Sequence, residues 1–147
     1  MLYLAADHGG FELKEHLKGF LTLGGIEYED MGAHELNPDD DYPDFAVPAT
    51  LEVAKNDAGN RAILVCRSGV GEVIVANKFK GIRATLSWSV KHASKSRAHN
   101  NTNILALPGD YISKKEAEEI VAEWLTAKFT KEERHVRRLS KISDIES

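Results

Sequence analysis

The sequence predicts an α/β fold in which a parallel sheet of five strands is covered by helices on both faces. Two observations support this prediction. Short apolar segments alternate five times with amphipathic segments along the 147 residues, and the connections between them are short. The apolar run 62–65 has no polar alternation, which is typical of a strand buried on both faces. A turn at 68–71 then leads into a helical segment, which completes a strand–loop–helix unit.

The elements before this unit follow from periodicity and turn residues. The apolar run 2–6 predicts the first strand, and apolar positions at helical spacing predict a helix over 11–23, which a glycine pair terminates. The alternating segment 26–30 predicts a more exposed strand. The acid-rich segment 32–42 predicts a loop, and Pro43 begins a helix that ends near Asn56.

The elements after the unit continue the alternation. We predict a helix over 73–79, a strand over 82–86, a helix over 89–98 and a strand over 103–107. Ser113 and Glu116 have the spacing of a capping box, which predicts the start of a helix that continues through Leu125. A last helix begins near Lys131. Because we find no linker or repeat, we expect one domain over residues 1–147.

Composition narrows the class of protein. A net charge of -4 argues against a general nucleic-acid or membrane surface, and no apolar run has the length of a membrane span. The single cysteine excludes an internal disulfide and fits a reducing compartment, and no basic leader precedes the first strand. We therefore expect a cytoplasmic protein with neither nucleic acid nor membrane as a partner.

Polar residues collect where three predicted strands end. They are Asp7 and His8 after the first strand, the segment 66–71 after the third, and Gly109 with Asp110 after the fifth. Ligands of open α/β sheets bind outside the carboxyl ends of the strands. A thiol at position 66, before a helix N-terminus, is expected to have a stabilised thiolate, although cysteine is also often a small packed core residue.

The sequence resembles the family of ribose-5-phosphate isomerase B and the galactose-6-phosphate isomerase subunits along essentially its whole length. The segments that carry the resemblance, in order, are 7–14, 41–46, 66–71, 76–78, 81–84, 99–103 and 134–138. The resemblance implies a Rossmann-like three-layer sandwich. It also implies a homodimer, or a dimer of dimers, whose active sites straddle the interface and whose C-terminal helix lies there.

The activity implied by the resemblance is interconversion of ribose 5-phosphate and ribulose 5-phosphate through an enediolate, without metal or cofactor. Cys66 would move the proton between C1 and C2, and His99 would open the sugar ring. The enediolate oxygens would be held by Ser68 and by the amides of Arg67, Gly69, Val70 and Gly71. Sugar hydroxyls would be bound by Asp7, His8 and Asn100, and the phosphate by Arg134 and Arg138, partly from the neighbouring subunit.

These roles are chemically reasonable for the residues present. Enolisation needs a base and fixed donors aimed at the developing oxyanion, and a glycine loop supplies such donors. Arg134 and Arg138 are four positions apart, so on a helix they share one face and can grip a dianion, or else form a solvated basic face. No Cys/His cluster has the spacing of metal ligands, so we expect no metal site.

Three positions keep alternatives open. The family usually has glycine where this chain has Arg67, and an arginine for the phosphate where this chain has Asp110. Arg67 could restore the charge, or the substrate could be a tetrose phosphate or galactose 6-phosphate. Glu72 is an alternative base, although it could instead be an acid favoured by the helix dipole. A degenerate phosphosugar-binding homologue and a nucleotide-binding module are the remaining alternatives, and the second lacks the three-glycine pattern.

Overall fold

The computed structural model describes residues 1–146 and consists of a five-stranded sheet with six helices. The elements are β1 (Leu2–Ala6), α1 (Phe11–Leu23), β2 (Tyr28–Asp30), α2 (Pro43–Ala54), β3 (Arg61–Cys66), α3 (Val70–Ala76), β4 (Ala84–Leu86), α4 (Val90–Asn100), β5 (Ile104–Pro108), α5 (Lys114–Thr126) and α6 (Glu133–Ser143). All paired strands are parallel, in the order β2-β1-β3-β5-β4. The predicted α/β class and parallel sheet are confirmed.

The core lies on both faces of the three central strands, where every residue of β1 and β5 is buried. One apolar cluster packs the sheet against α1, α4 and α5 around the fully buried Trp124. The other packs it against α2 and α3 around Leu64 and Ile104. Helices on both faces explain why these strands are apolar throughout instead of alternating. None of the helices in the described part of the chain is both long and apolar enough to span a membrane.

Several boundaries differ from the predicted ones. β2 begins at Tyr28 because the Ile26 amide donates to the Leu21 carbonyl at 2.9 Å, which closes the end of α1. α3 begins at Val70, earlier than predicted, because Gly69 caps it with a φ of 75°. The edge strand β4 and helix α6 begin two residues later than predicted. These differences leave the order of elements unchanged.

The loop that leaves β2 is tied to α1 by a buried ion cluster. Lys14 is fully buried, and its Nζ donates to both carboxylate oxygens of Asp30 at 2.7 and 2.8 Å. Lys18 also donates to Asp30, at 2.8 Å. Burial alone would raise the pKa of Asp30, but the hydrogen bonds from both lysines outweigh it and lower the pKa to about 2. The cluster fixes the start of the acidic loop that continues to the sheet edge.

Candidate active site

The structure brings the polar ends of β1, β3 and β5 together at one edge of the sheet, as predicted. β3 lies between β1 and β5. The Gly109 amide donates to the Cys66 carbonyl at 2.8 Å, and the Asp110 amide donates to the Arg67 carbonyl at 3.0 Å. The segments after β3 and β5 are therefore directly bonded to each other.

Cys66 is the last residue of β3 and is 5% exposed. The Gly69 amide donates to Sγ at 3.0 Å. Burial, followed by the charge of Glu72, raises the pKa of Cys66 to about 12, and the amides of Gly69 and Ser68 oppose this rise only in part. The expected stabilisation of the thiolate is therefore wrong for this chain, since desolvation and a neighbouring acid outweigh the loop amides.

Glu72 lies in the first turn of α3 but has no exposed surface. Neither of its carboxylate oxygens forms a hydrogen bond of ordinary geometry. Burial and the charge of Asp7 raise its pKa well above the usual range, although the Cys66 side chain lowers it in part. Desolvation therefore works against the alternative of a charged acid favoured by the helix dipole, because burial favours the protonated carboxyl. A buried acid beside the thiol keeps Glu72 as a candidate for proton transfer.

The turn between β3 and α3 requires its glycines. A Cβ on Gly69, whose φ is 75°, would lie 2.5 Å from the Leu86 Cδ1, and a Cβ on Gly71 would lie 2.4 Å from the Tyr42 ring. The Val70 amide donates to the Ser68 Oγ at 3.3 Å, although the Val70 side chain is exposed. The amides of Gly69 and Val70 are thus occupied by Sγ and Oγ. The first amides of a helix have no intrahelical acceptor, which leaves Gly71 as a free donor.

Asp7 and His8 form the second part of the edge. The buried Asp7 accepts a hydrogen bond from the Gly10 amide at 3.1 Å, and burial raises its pKa. His8 bonds through Nδ1 to the Asp40 Oδ1 at 2.7 Å, and its amide donates to the same oxygen at 2.9 Å. The hydrogen bond to Asp40 raises the pKa of His8. Sequence analysis missed Asp40, and the only signal for it was the acid-rich loop 32–42.

The same three side chains are the one group among residues 1–146 with the geometry of metal ligands. Asp7, His8 and Asp40 each offer one ligand atom, and these three atoms lie within 4.8 Å of one another. The expectation of no metal site considered only Cys/His spacing along the sequence, and these ligands come from two loops. His8 already uses Nδ1 for Asp40, and this bond favours the imidazolium, which cannot bind a metal.

Two unusual residues of the sequence form an ion pair. Nη1 of Arg67 lies 3.5 Å from Oδ2 of Asp110, and both side chains are about half exposed or more. Gly9 makes room for Arg67, since a Cβ on Gly9 would lie 2.4 Å from the Arg67 Cγ. Each residue therefore neutralises the other at the edge of the site, and neither charge is free.

The other predicted site residues lie elsewhere in the same chain. His99 and Asn100 end α4 and line a cavity of about 410 Å³ with Leu139 of α6. The ring of His99 packs against that of His135 in a tilted arrangement, with centroids 4.5 Å apart. The neighbouring arginines, Arg134 and Arg138, are exposed on α6, and Arg134 donates to Glu132 at 3.0 Å.

The topology separates these residues from Cys66. α4 begins just after the carboxyl end of β4, and its 11 residues return toward the amino ends of the strands, a distance of about 16 Å. The Asn103 amide donates to the Arg83 carbonyl, so the segment after Asn100 lies where β4 and β5 begin. One chain therefore holds Cys66 and His99 at opposite ends of the sheet.

At the carboxyl edge of this three-layer α/β sandwich lie a buried thiol, buried carboxyl groups and an amide-lined turn. These features place the protein in the class of small-molecule enzymes that transfer protons. Residues 2–142 match the family model described as Ribose/Galactose Isomerase, and the chain belongs to this family. The resemblance noted in the sequence is confirmed.

Individual relatives cover the chain almost completely. The chain is 42% identical to a putative sugar phosphate isomerase of Bacillus subtilis, over 97% of this chain and 95% of the relative. It is 39% identical to ribose-5-phosphate isomerase B of Mycobacterium tuberculosis, over 99% of this chain and 89% of the relative. Ribose-5-phosphate isomerase B of Mycoplasma genitalium with bound ribulose-5-phosphate has a TM-score of 0.95 and 37% identity, over 99% of this chain and 95% of that chain.

Proposed function

We propose that this protein interconverts ribose 5-phosphate and ribulose 5-phosphate through an enediolate. The observation that carries the proposal is the group at the sheet edge, where a buried thiol, a buried carboxyl group and turn amides surround one position. The relatives named ribose-5-phosphate isomerase B support the substrate, since they match along nearly the whole chain. The single free cysteine fits a cytoplasmic location.

Isomerisation requires the open-chain sugar and then a proton shift. In the proposed reaction His99 opens the ring, and the Cys66 thiolate takes the proton from C2 of the aldose. The electron pair of the broken C–H bond forms the C1–C2 double bond of the enediolate, and the C1 carbonyl oxygen takes the negative charge. The protonated thiol returns the proton to C1 while the C2 hydroxyl proton passes to the C1 oxygen, which leaves the ketone at C2. The Ser68 hydroxyl and the Gly71 amide stabilise the enediolate oxygens without rearrangement.

The resting chain resists forming this thiolate. Burial and Glu72 raise the pKa of Cys66 to about 12, so the thiol form dominates at neutral pH. A carboxylate is a weaker base than a thiolate, so Glu72 does not draw the proton from Cys66, and burial already favours the protonated form of Glu72. The thiol proton is lost to solvent before the sugar reacts. We assign Cys66 as the base that faces the sugar and Glu72 as the neighbouring acid whose charge, when it ionises, opposes the thiolate.

The hydroxyls and the phosphate of the substrate need further partners. Asp7, His8 and the unpartnered, buried Oδ2 of Asp40 offer polar atoms for sugar hydroxyls. Arg134 and Arg138 are assigned to the phosphate, and Asn100 to a hydroxyl. Because Arg134, Arg138 and Asn100 lie far from Cys66 within one chain, we infer a homodimer. One subunit supplies the sheet edge of each site, and its partner supplies α4 and α6.

A panel of phosphorylated aldoses and ketoses tests the substrate. We expect ribose 5-phosphate to give the highest kcat/KM, and Cys66→Ala protein, verified as folded by circular dichroism, to be inactive in the same assay. A higher kcat/KM for a tetrose or hexose phosphate would reject the pentose assignment. No turnover of any phosphosugar, together with saturable binding, would identify a degenerate binding homologue.

One observation favours a second candidate, an isomerase of another phosphosugar. The Arg67–Asp110 pair leaves an aspartate where relatives of the family usually have a phosphate-binding arginine. The carboxylate of Asp110 can accept a hydrogen bond from a hydroxyl of a different sugar. The same panel separates the two candidates, because galactose 6-phosphate and tetrose 4-phosphates are included.

A further inference from the structure

A cavity of about 580 Å³ lies near the amino end of β3, at the end of the sheet opposite Cys66. Four of its nine lining residues are cations, Arg61, Arg97, Lys128 and Lys131, and none is an acid. The remaining wall comes from the ends of α4 and α5 and from Phe129. We call this cavity the basic pocket.

The guanidinium groups of Arg61 and Arg97 form the floor of the basic pocket, and both lie against the indole ring of Trp124. Arg61 and Arg97 lie 5.5 and 5.9 Å from the ring of Trp124, which is fully buried. Arg97 is 6% exposed, and its Nε has no hydrogen-bond partner. Burial and the charge of Arg61 lower the pKa of Arg97 to about 10. Two cations are therefore held close together with little water to screen them.

Backbone carbonyls offset the positive charge of Arg61 and Arg97 only in part. Arg61 donates Nη1 to the Leu125 carbonyl at 3.1 Å, and Arg97 donates Nη1 to the Thr102 carbonyl. These carbonyls lie near the carboxyl ends of α5 and α4, where the helix dipole is negative and favours a nearby cation. A guanidinium has five N–H groups, so most of its donors remain available. Within residues 1–146, none of the four cations forms an ion pair with a carboxylate, although twelve ion pairs of other lysines, arginines and histidines with acids are present.

We propose that the basic pocket binds the phosphate group of a small molecule, with Arg61 and Arg97 beneath the anion and Lys128 and Lys131 at its rim. A dianion matches two adjacent guanidinium groups with free donors, and the volume leaves room for more than a phosphate alone. The proposal does not depend on the isomerase reaction. It concerns a second anion site, since the arginines assigned to the substrate phosphate, Arg134 and Arg138, do not line this cavity.

Tryptophan fluorescence can report on this pocket alone. The chain has two tryptophans, and Trp88 is 55% exposed. The full-length Trp88→Phe, Arg138→Ala protein retains only Trp124 as a fluorophore and lacks one arginine of the proposed substrate site. We expect a saturable change in emission when inorganic phosphate is added, and none when chloride is added to the same ionic strength. Ribose 5-phosphate and glucose 6-phosphate form two further arms of the titration.

The rim lysines supply the decisive variant, because Lys128 and Lys131 are exposed and their replacement leaves the core intact. Lys128→Glu with Lys131→Glu should weaken phosphate binding about a hundredfold, since two charge-assisted contacts are lost. The matched control is Lys91→Glu with Lys115→Glu, which changes the net charge equally on two exposed lysines outside the pocket. Binding by the control should stay within about twofold of the parent protein.

Three results would overturn the proposal. They are an absent or non-saturable response to every phosphate, an equal response to chloride, and an equal loss in the pocket and control variants. Sedimentation velocity adds a fourth, since dissociation of an oligomer by the pocket variant alone would identify the cavity as an interface. Tighter binding of a sugar phosphate than of inorganic phosphate would support an organic ligand, and equal binding would support free phosphate.

Discussion

Three acidic groups, Asp7, Cys66 and Glu72, are buried at the carboxyl edge without an ion-pair partner among residues 1–146. Burial is the largest cause of the raised pKa of each. The charge of Asp7 raises the pKa of Glu72 further, and the charges of Glu72 and Asp7 raise that of Cys66 further. Desolvation and like charges therefore both favour the protonated forms in this cluster. At the residue scale, the candidate site holds its acidic groups next to the position where the C–H proton of the substrate is proposed to move.

The roles of Cys66 and Glu72 are separated by mutation and pH. Cys66→Ala should lower kcat/KM by at least about a thousandfold, because the base that faces the sugar is lost. Glu72→Gln should be milder and should move the alkaline rise of kcat/KM to lower pH, because the charge of Glu72 raises the pKa of Cys66. Steady-state kinetics from pH 6 to about pH 10 measure both effects. Near-normal turnover of Cys66→Ala with an inactive Glu72→Gln would instead make Glu72 the base.

The Arg67–Asp110 pair should tune phosphate binding. Asp110→Asn removes the counter-charge at 3.5 Å from Arg67, so the KM for ribose 5-phosphate should fall by about tenfold if Arg67 reaches the anion. Arg67→Gly leaves Asp110 free to repel the phosphate and should raise KM. Arg138→Ala is the reference and should raise KM about ten- to a hundredfold. An unchanged KM in Asp110→Asn would show that Arg67 does not reach the phosphate, and a higher KM would show that Asp110 itself binds the substrate.

At the scale of elements, the buried lysine of α1 depends on the end of β2. Lys14 has a side chain with no exposed surface, and Asp30 is its nearer carboxylate partner at 2.7 Å, with Glu15 at 3.4 Å. An unpaired buried ammonium group is costly, whereas an exposed ion pair contributes little. β2 is therefore attached to β1 by three residues of strand pairing and to α1 by the ion pairs of Asp30.

Asp30→Asn should destabilise the fold by about 3 kcal/mol at pH 7, because it leaves the buried Lys14 without its counter-charge. The pKa of Asp30 is about 2 in the folded chain against an ordinary value of 3.8. Its contribution is therefore complete above pH 4 and is lost as the pH falls from 3.8 toward 2. Urea unfolding at pH 7 and at pH 2.5 measures both effects. Glu15→Gln is the comparison, since Glu15 is a partly exposed partner of Lys18 and lies farther from Lys14 than Asp30 does, at 3.4 Å against 2.7 Å. An equal loss there would contradict the assignment.

The elements with local signals were predictable from the sequence. The capping box is present, with the Glu116 amide donating to the Ser113 Oγ at 3.0 Å, and the apolar strands β1, β3 and β5 lie where the runs predicted. The bounds of β2 and β4 depend on pairing with a neighbour and were less accurate. The Arg67–Asp110 and His8–Asp40 contacts join distant segments, so sequence spacing does not predict them. The raised pKa of Cys66 depends on burial, which a lone residue type does not reveal.

At the scale of the whole molecule, the proposed assignments place two halves of the candidate site at opposite ends of the sheet in one chain. The half at the carboxyl edge borders an apolar cavity of about 490 Å³. Three exposed apolar side chains line it, with Val70 50%, Trp88 55% and Tyr111 75% exposed. Exposed apolar patches beside a polar site are typical of protein–protein contacts. A two-fold dimer presents the same surface twice, so such a contact can complete two sites at once.

Mixing two inactive variants tests whether each site is shared between subunits. In a mixed dimer of Cys66→Ala and His99→Ala chains, one site carries both mutations and the other carries neither. Random exchange forms mixed dimers as half of the population, so about a quarter of the wild-type activity should return. The measurement is kcat per subunit after incubation at a concentration that permits exchange, and each variant alone is the control. Exchange is verified independently with a size-tagged subunit. If exchange occurs and the mixture stays inactive, Cys66 and His99 act within one chain, and the division of the site between subunits is wrong.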